Sequence, residues 1–160
     1  MALRNIIRDG DEILRKKSRE VTVFDSRLHQ LLDDMAETMN HATGVGLAAV
    51  QVGILRRVTV IDIGEGLIEL VNPVIVDSSD TIIRGAEGCL SYPEERGLVD
   101  RPKKVTIQAM DRNGDLFTMV GEDLLARAIC HELDHLDGIV YKDAVIRMLK
   151  NGENVEDKEV

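Results

Sequence analysis

Aromatic residues are almost missing from this sequence. Its 160 residues include two Phe, two Tyr and no Trp, so the hydrophobic core must be built from aliphatic side chains. Proteins that bind single-stranded nucleic acid without sequence preference stack the bases on aromatic side chains. The scarcity of aromatic residues therefore argues strongly against a stacking platform of that kind.

Basic residues are fewer than acidic residues in this sequence. Twenty Lys and Arg against 29 Asp and Glu give a formal net charge of −9 at pH 7. Because nucleic-acid affinity depends on cations that neutralise phosphates, so acidic a chain is a poor binder of the phosphate backbone. We expect no direct nucleic-acid binding, although a local basic patch is compatible with this charge.

Long apolar runs and paired cysteines are absent from the sequence. Charged residues interrupt the apolar residues at the amino terminus, and no run elsewhere has the length of a membrane span. Cys89 and Cys130 are too few for a disulfide scaffold, which leaves metal binding, catalysis or burial. We therefore expect a cytoplasmic protein with no membrane partner.

Short strands joined by tight turns are predicted in the middle of the chain. Segments 56–63 and 67–76 are separated by Gly-Glu-Gly, which is typical of a hairpin. Segments 103–110 and 116–120 flank a turn that contains Asn-Gly. The sequence has no β-α-β alternation, so mostly antiparallel pairing is expected.

Helices are predicted on both sides of this strand-rich region. Apolar residues recur at helical spacing over 26–40, after Asp25 as a cap, and over 123–137. The second helix is apolar on two opposite faces and should be buried. The sequence thus predicts an α+β fold, with antiparallel strands packed around a buried C-terminal helix. One domain is expected over 1–150, followed by a polar acidic tail, 151–160, that should fray.

The C-terminal helix carries the sequence His131-Glu132-Leu133-Asp134-His135. Histidines at i and i+4 lie about 40° apart around the helix axis and about 6 Å apart along it, so both imidazoles can reach one metal ion. Glu132 points in a different direction around the helix from both histidines. Its carboxylate would therefore not bind the ion directly, but it could reach a water molecule bound to the ion. The alternative is a pair of ordinary helix histidines beside a solvated glutamate.

A third ligand decides the class of metal site. Zinc peptidases complete H-E-x-x-H with a third histidine or a later glutamate. Tyr141 stands where that histidine would be, and Glu153 and Glu156 lie in the acidic tail. Cys89 is a better candidate because a thiolate is a strong ligand for zinc or ferrous iron. The alternative is that Cys89 is a small buried hydrophobe.

Neighbouring residues are expected to have other roles. Cys130 competes as a ligand, but it points about 100° away from His131 on the helix and should pack. Glu87 is expected to be buried and structural, which would require a cationic partner such as Arg101 or Arg96. The alternative for Glu87 is a solvated glutamate at a strand end.

A third pattern, Gly-Val-Gly-Leu-Ala-Ala-Val-Gln, occupies 44–51. Read alone, it is typical of a helix stop followed by an apolar strand. The polar Gln51 inside this apolar stretch needs a partner, and an oxyanion is one candidate.

These three patterns, at 44–51, 87–91 and 131–135, resemble the signature motifs of the peptide deformylases in order and separation. The resemblance spans the chain from Leu3 to about Leu149. That family hydrolyses the formyl group from the initiator methionine of new proteins in bacteria and organelles. The resemblance implies a metal-dependent hydrolase that acts on N-formylmethionyl nascent peptides within a single catalytic domain.

The resemblance also implies a role for each matching residue. The metal ligands would be Cys89, His131 and His135, which would hold one ion per chain with water in the fourth position. In the family this ion is usually ferrous iron (Fe2+), and Zn2+, Ni2+ or Co2+ can occupy the site. Glu132 would be the general acid/base, while Gln51 and the backbone N–H of Leu90 would hold the oxyanion.

Substrate binding is expected around the first motif. Gly46 and its neighbour Gly44 would pair with the substrate backbone, as the resemblance implies. Val45, Leu124 and Ala128 can form an apolar slot for a methionine side chain. Some members of the family have a longer, partly basic helical carboxyl terminus, whereas this chain ends in a short acidic tail. A position close to the ribosome is therefore left open.

Other classes of protein remain as alternatives. A metallopeptidase would need a third ligand other than Cys89. A metal-binding but inactive relative would need a damaged site, yet Glu132 and Gln51 are both present. A domain without catalytic function would leave two buried histidines unexplained. The metal content of anaerobically purified protein, with and without Cys89→Ser, separates these alternatives.

Overall fold

A computed structural model of the chain describes residues 2–160. Two α-helices, α1 (Ser26–His41) and α2 (Leu124–Leu136), lie on either side of the strand-rich region, as their apolar spacing predicts. Asp25 caps α1 as expected, because its side chain accepts a hydrogen bond from the backbone N–H of Leu28 at 3.1 Å. Short 3-10 helices form at Glu12–Arg15, Ala49–Val52 and Tyr141–Asp143.

The strands pair antiparallel in two sheets. In chain order they are β1 (Gly46–Ala48), β2 (Val58–Ile61), β3 (Ile68–Ser78), β4 (Ile82–Cys89), β5 (Tyr92–Pro102), β6 (Lys104–Met110), β7 (Leu116–Glu122), β8 (Val145–Met148) and β9 (Lys158–Glu159). The first sheet has the order β1-β2-β3-β6-β7, and the second has the order β8-β5-β4-β9. The β2–β3 and β6–β7 hairpins are the two that the turn residues predict.

The β4–β5 hairpin is the main element that the sequence does not predict. The sequence suggests strand character only up to Arg84, whereas β4 and β5 pair along almost their full lengths. Glycines at 85, 88 and 97 and the charged run at 94–96 are depleted in ordinary strands and mimic a loop. In the structure these residues are extended because β4 and β5 pair with each other residue by residue.

Helix α2 lies in the interior of the fold. Ten of its thirteen residues are buried, which confirms the expected buried C-terminal helix and the α+β class. Ile129 and Leu133 pack on side chains of the first sheet. Cys130 packs in the same apolar cluster, as expected, and burial raises the pKa of its thiol to about 11. Met35 and Met39 of α1 fill a second cluster against β1 and β2.

The acidic tail is folded back onto the second sheet, which differs from the frayed tail that its composition predicts. Lys158 and Glu159 form β9 and pair with β4. The Glu153 carboxylate accepts hydrogen bonds from the Arg147 guanidinium at 3.1 and 2.7 Å. None of the helices formed by residues 2–160 is long and apolar enough to cross a membrane.

Candidate metal centre

Three of the residues proposed as ligands converge between β4 and α2. The ligand atoms of Cys89, His131 and His135 all lie within 4.8 Å of one another. The Cys89 sulfur is 3.3 Å from Nε2 of His135, and the two imidazole rings are 4.9 Å apart between centroids. One thiolate and two imidazoles at this spacing would suit a divalent ion such as zinc or ferrous iron, which would have room for a further ligand such as water.

The end of β4 positions the thiolate. The β4–β5 register shifts between Gly88 and Cys89, so that Cys89 pairs with Tyr92. A shift of this kind bends a strand and redirects a side chain. Gly88 permits the close turn, because a Cβ there would lie 3.2 Å from the carbonyl oxygen of Glu95. The local sequence thus places the sulfur above α2.

Glu87 orients the first histidine. Nδ1 of His131 lies 2.7 Å from a carboxylate oxygen of Glu87, which leaves Nε2 free to face the site. Both Glu87 oxygens also accept hydrogen bonds from Arg101, at 3.0 and 2.6 Å, and one accepts from Arg127 at 3.1 Å. Although burial opposes ionisation, the hydrogen bonds of Arg101 and His131 lower the pKa of Glu87 to about 2.

The geometry supports the prediction that Glu87 is buried with a cationic partner. It also decides between the two candidates for that partner, Arg101 and Arg96. Glu87 is 5% exposed and pairs with Arg101. Arg96, the other candidate, instead donates to the backbone carbonyl of Glu153 in the tail. Arg127 was missed by the sequence reasoning, and only its position four residues before His131 on a buried helix hints at a role.

Glu132 lies beside the three ligands and is almost completely shielded from solvent. Its side chain is buried, and burial raises the pKa of its carboxyl to about 7. Its Oε1 is buried without a hydrogen-bond partner within residues 2–160, and so is Nδ1 of His135. An unpartnered carboxylate oxygen here indicates that a further polar group belongs in the site. The absence of a side chain at Gly46 lets the Glu132 carboxylate lie against β1, since a Cβ at Gly46 would collide with that carboxylate.

Gln51 turns its donor group towards the thiolate. Its Oε1 accepts a hydrogen bond from the backbone N–H of Ala48 at 2.9 Å. The Nε2 group therefore faces the site, 3.1 Å from Oγ of Ser91 and 3.5 Å from the sulfur of Cys89. The polar residue thus has protein partners inside the apolar stretch, and its amide orientation follows from them.

A cavity of about 1220 Å³ opens in front of the ligands. All the expected substrate residues line it, namely Gly44, Val45, Gly46, Leu124 and Ala128, and so does Leu90, the expected oxyanion donor. Val45 and Leu124 are half exposed at the rim, whereas Ala128 is buried at the base. Cys89, His131 and Glu132 also line the cavity. Residues 149–152 form part of its wall, a contribution that no sequence pattern indicates.

The alternative third ligands of a zinc peptidase lie away from this centre. Neither Glu153 nor Glu156 belongs to the cluster of ligand atoms found within residues 2–160. The carboxylate of Glu153 is held by Arg147. Tyr141 is buried and packs edge-to-face on Tyr92, with ring centroids 5.6 Å apart.

Comparison with known proteins identifies relatives over the whole length. The family model for polypeptide deformylase matches residues 3–151. A peptide deformylase of Acetivibrio thermocellus is 56% identical over 153 residues, which cover 96% of this chain and 89% of the relative. One from Caldanaerobacter subterraneus subsp. tengcongensis is 55% identical over 160 residues, the full length of both chains.

Solved structures agree with this likeness. The crystal structure of peptide deformylase from Thermotoga maritima superposes with a TM-score of 0.88 at 38% identity, covering 89% of this chain and 97% of the other. A peptide deformylase from Legionella pneumophila gives a TM-score of 0.86 at 44% identity, covering 89% and 86%. Sequence and fold lead to the same conclusion: the chain belongs to the polypeptide deformylase family.

Proposed function

We propose that this chain removes the N-formyl group from the N-terminal methionine of newly made polypeptides. The observation that carries the proposal is the convergence of Cys89, His131 and His135 beside the buried Glu132 carboxylate. Three of these four residues, Cys89, His131 and Glu132, line the cavity. The curated relatives bear the name peptide deformylase. We assign catalysis to residues 1–150 as a single cytoplasmic domain.

The donor set suits a divalent ion. We propose that the native ion is Fe2+, held by Cys89, His131 and His135 with one ion per chain, and that Zn2+, Ni2+ or Co2+ can replace it. When bound, such an ion would polarise a water molecule and lower its pKa towards about 7. A formamide is a poor electrophile, so hydrolysis at neutral pH depends on this activation.

Glu132 is proposed to move the proton. Burial raises the pKa of its carboxyl, which favours uptake of a proton from the attacking water. The same carboxyl group then delivers that proton to the departing amine. Because Oε1 has no other partner within residues 2–160, one oxygen is available for this transfer.

Gln51 and the backbone N–H of Leu90 are proposed to stabilise the oxyanion. The Gln51 amide is held by Ala48 with its N–H donors towards the site, so it needs little reorganisation when negative charge develops. Leu90 follows Cys89 directly and lines the cavity, which supports a donor at that point.

The rim of the cavity is proposed to select the substrate. Val45, Leu124 and Ala128 offer an apolar slot for the methionine side chain. Gly44 and Gly46 line the cavity, and among residues 2–160 β1 pairs with β2 on one side only, so its other edge is proposed to pair with the substrate backbone. The formyl carbon carries only hydrogen, so a tight site can admit it and exclude an acetyl group by steric contact.

Formate release from a short formyl-methionyl peptide tests the proposal, with the acetyl peptide of the same sequence as control. We expect rapid release of formate and no measurable deacetylation. Cleavage of an internal peptide bond, or equal turnover of the two peptides, would contradict it.

A further inference from the structure

The outer edge of β4 is only partly covered. One edge of this strand pairs with β5 from end to end, whereas β9 covers the other edge only at Ile83 and Arg84. Residues 86–89, further along the same strand, line the cavity in front of the metal ligands. The tail and the cavity therefore share one edge of one strand.

The pleat of β4 determines which peptide groups this edge presents. The N–H of Val160 donates to the carbonyl of Ile82 at 3.1 Å, so the peptide groups of Ile82 point outwards. Because direction alternates with a period of two, those of Arg84, Ala86 and Gly88 point the same way. Val160 and Lys158 of the tail pair with the first two of these outward positions, Ile82 and Arg84, and the last two positions line the cavity.

The direction of the substrate follows from the proposed function, on which this inference rests. The formyl end must lie at Cys89, at the end of β4, so a peptide that follows this edge runs towards the start of the strand. It is then antiparallel to β4, as β9 is. Peptide and β9 would lie in line along the same edge and point in the same direction.

We propose that β9 terminates the substrate's path, so that about three residues of the formyl peptide, opposite Gly88 to Ala86, pair with β4. The next peptide residue would reach Gly85, where the tail already lies against the strand. A Cβ at Gly85 would collide with the carboxylate of Asp157. Later residues of the nascent chain must therefore turn away from β4, and β9 limits how much sequence the enzyme reads.

The test is the dependence of kcat/KM on peptide length, for formyl-methionyl peptides of two to six residues. In the full chain we expect kcat/KM to rise up to three residues and then to level off. Lys158→Pro removes the N–H that pairs with Arg84 and should release β9. Each newly paired peptide residue is then expected to raise kcat/KM by about 3- to 10-fold for the longer peptides.

Glu159→Pro is the matched control. By the same alternation the N–H of Glu159 points away from β4, so this variant should keep β9 in place and retain the plateau. A chain that ends at Glu156 lacks both β9 and Asp157, so it should behave like Lys158→Pro, and it provides a second variant should the proline disturb folding. The side chains of Lys158 and Glu159 are exposed, so the core should stay folded in every variant, and only the released variants should lose a little in thermal midpoint.

Two results would overturn the proposal and can be told apart. If the full chain cleaves the dipeptide but both released variants keep the plateau at three residues, the role of β9 is wrong while the deformylase activity stands. If no peptide of any length yields formate, the proposed function fails and this inference fails with it.

Discussion

Glu87→Gln is predicted to weaken both the fold and the metal centre, although Glu87 is not a ligand. The substitution keeps the shape of the side chain but removes a negative charge that faces Arg101, Arg127 and His131. Breaking a buried ion pair by removing one partner typically costs about 3–5 kcal/mol. The lowered pKa of Glu87, about 2 against an ordinary 4.5, corresponds to roughly 3 kcal/mol and agrees with that range.

The pH dependence of this contribution has a defined sign. Because the pKa of Glu87 is lower in the folded state, its stabilisation is fully present above pH about 4.5 and is lost as the pH falls towards 2. Between pH 5 and 8 the parent chain should therefore exceed Glu87→Gln in unfolding free energy by a constant amount. Below pH 4 the two curves should converge.

The assay is urea denaturation of the two proteins across this pH range, together with metal content after dialysis. We expect a loss of about 3–5 kcal/mol at pH 7 and a 10- to 100-fold weaker metal affinity, since the His131 imidazole loses its orienting carboxylate. Glu153→Gln is the matched control, because that carboxylate contacts Arg147 at the surface and should change neither quantity. Parent-like stability and metal affinity in Glu87→Gln would refute the reasoning.

Three further predictions concern the centre itself. Glu132→Gln should retain metal but lose about 10²- to 10⁴-fold in kcat, because the acid/base group is gone; near-normal turnover of the metal-loaded variant would exclude that role. Cys89→Ser should lose most bound metal, measured by elemental analysis, whereas Cys130→Ala should keep it because that thiol packs in an apolar cluster. Activity of the iron-loaded chain should decay in air as iron and thiolate oxidise, while zinc-, nickel- and cobalt-loaded samples last; equal, air-stable activity in the iron and zinc forms would contradict an iron enzyme.

Periodic patterns predicted the helices and two of the hairpins well. The apolar spacing of α2 indicated its burial, and the i, i+4 histidines indicated which groups that burial brings together. The need of a buried Glu87 for a cation pointed to Arg101 or Arg96, and the structure selects Arg101. These features could be predicted because each depends on residues close together in one helix or hairpin, or on the chemistry of a single side chain.

The features that were missed depend on contacts between distant segments. The β4–β5 hairpin contains glycines and a charged run, so its strand character arises from sheet register and not from propensity. Arg127 reaches Glu87 across 40 positions, which no local pattern reveals. The tail pairs with β4 by backbone hydrogen bonds, to which its acidic composition gives no clue.

Titration of the metal-free chain with ferrous iron, under anaerobic conditions and with formate release followed at each addition, tests the central claim most directly. If Cys89, His131 and His135 hold the ion on which deformylation depends, activity should rise linearly and reach its plateau at one ion per chain. Full activity before any iron is added, or a plateau at a different stoichiometry, would contradict the account.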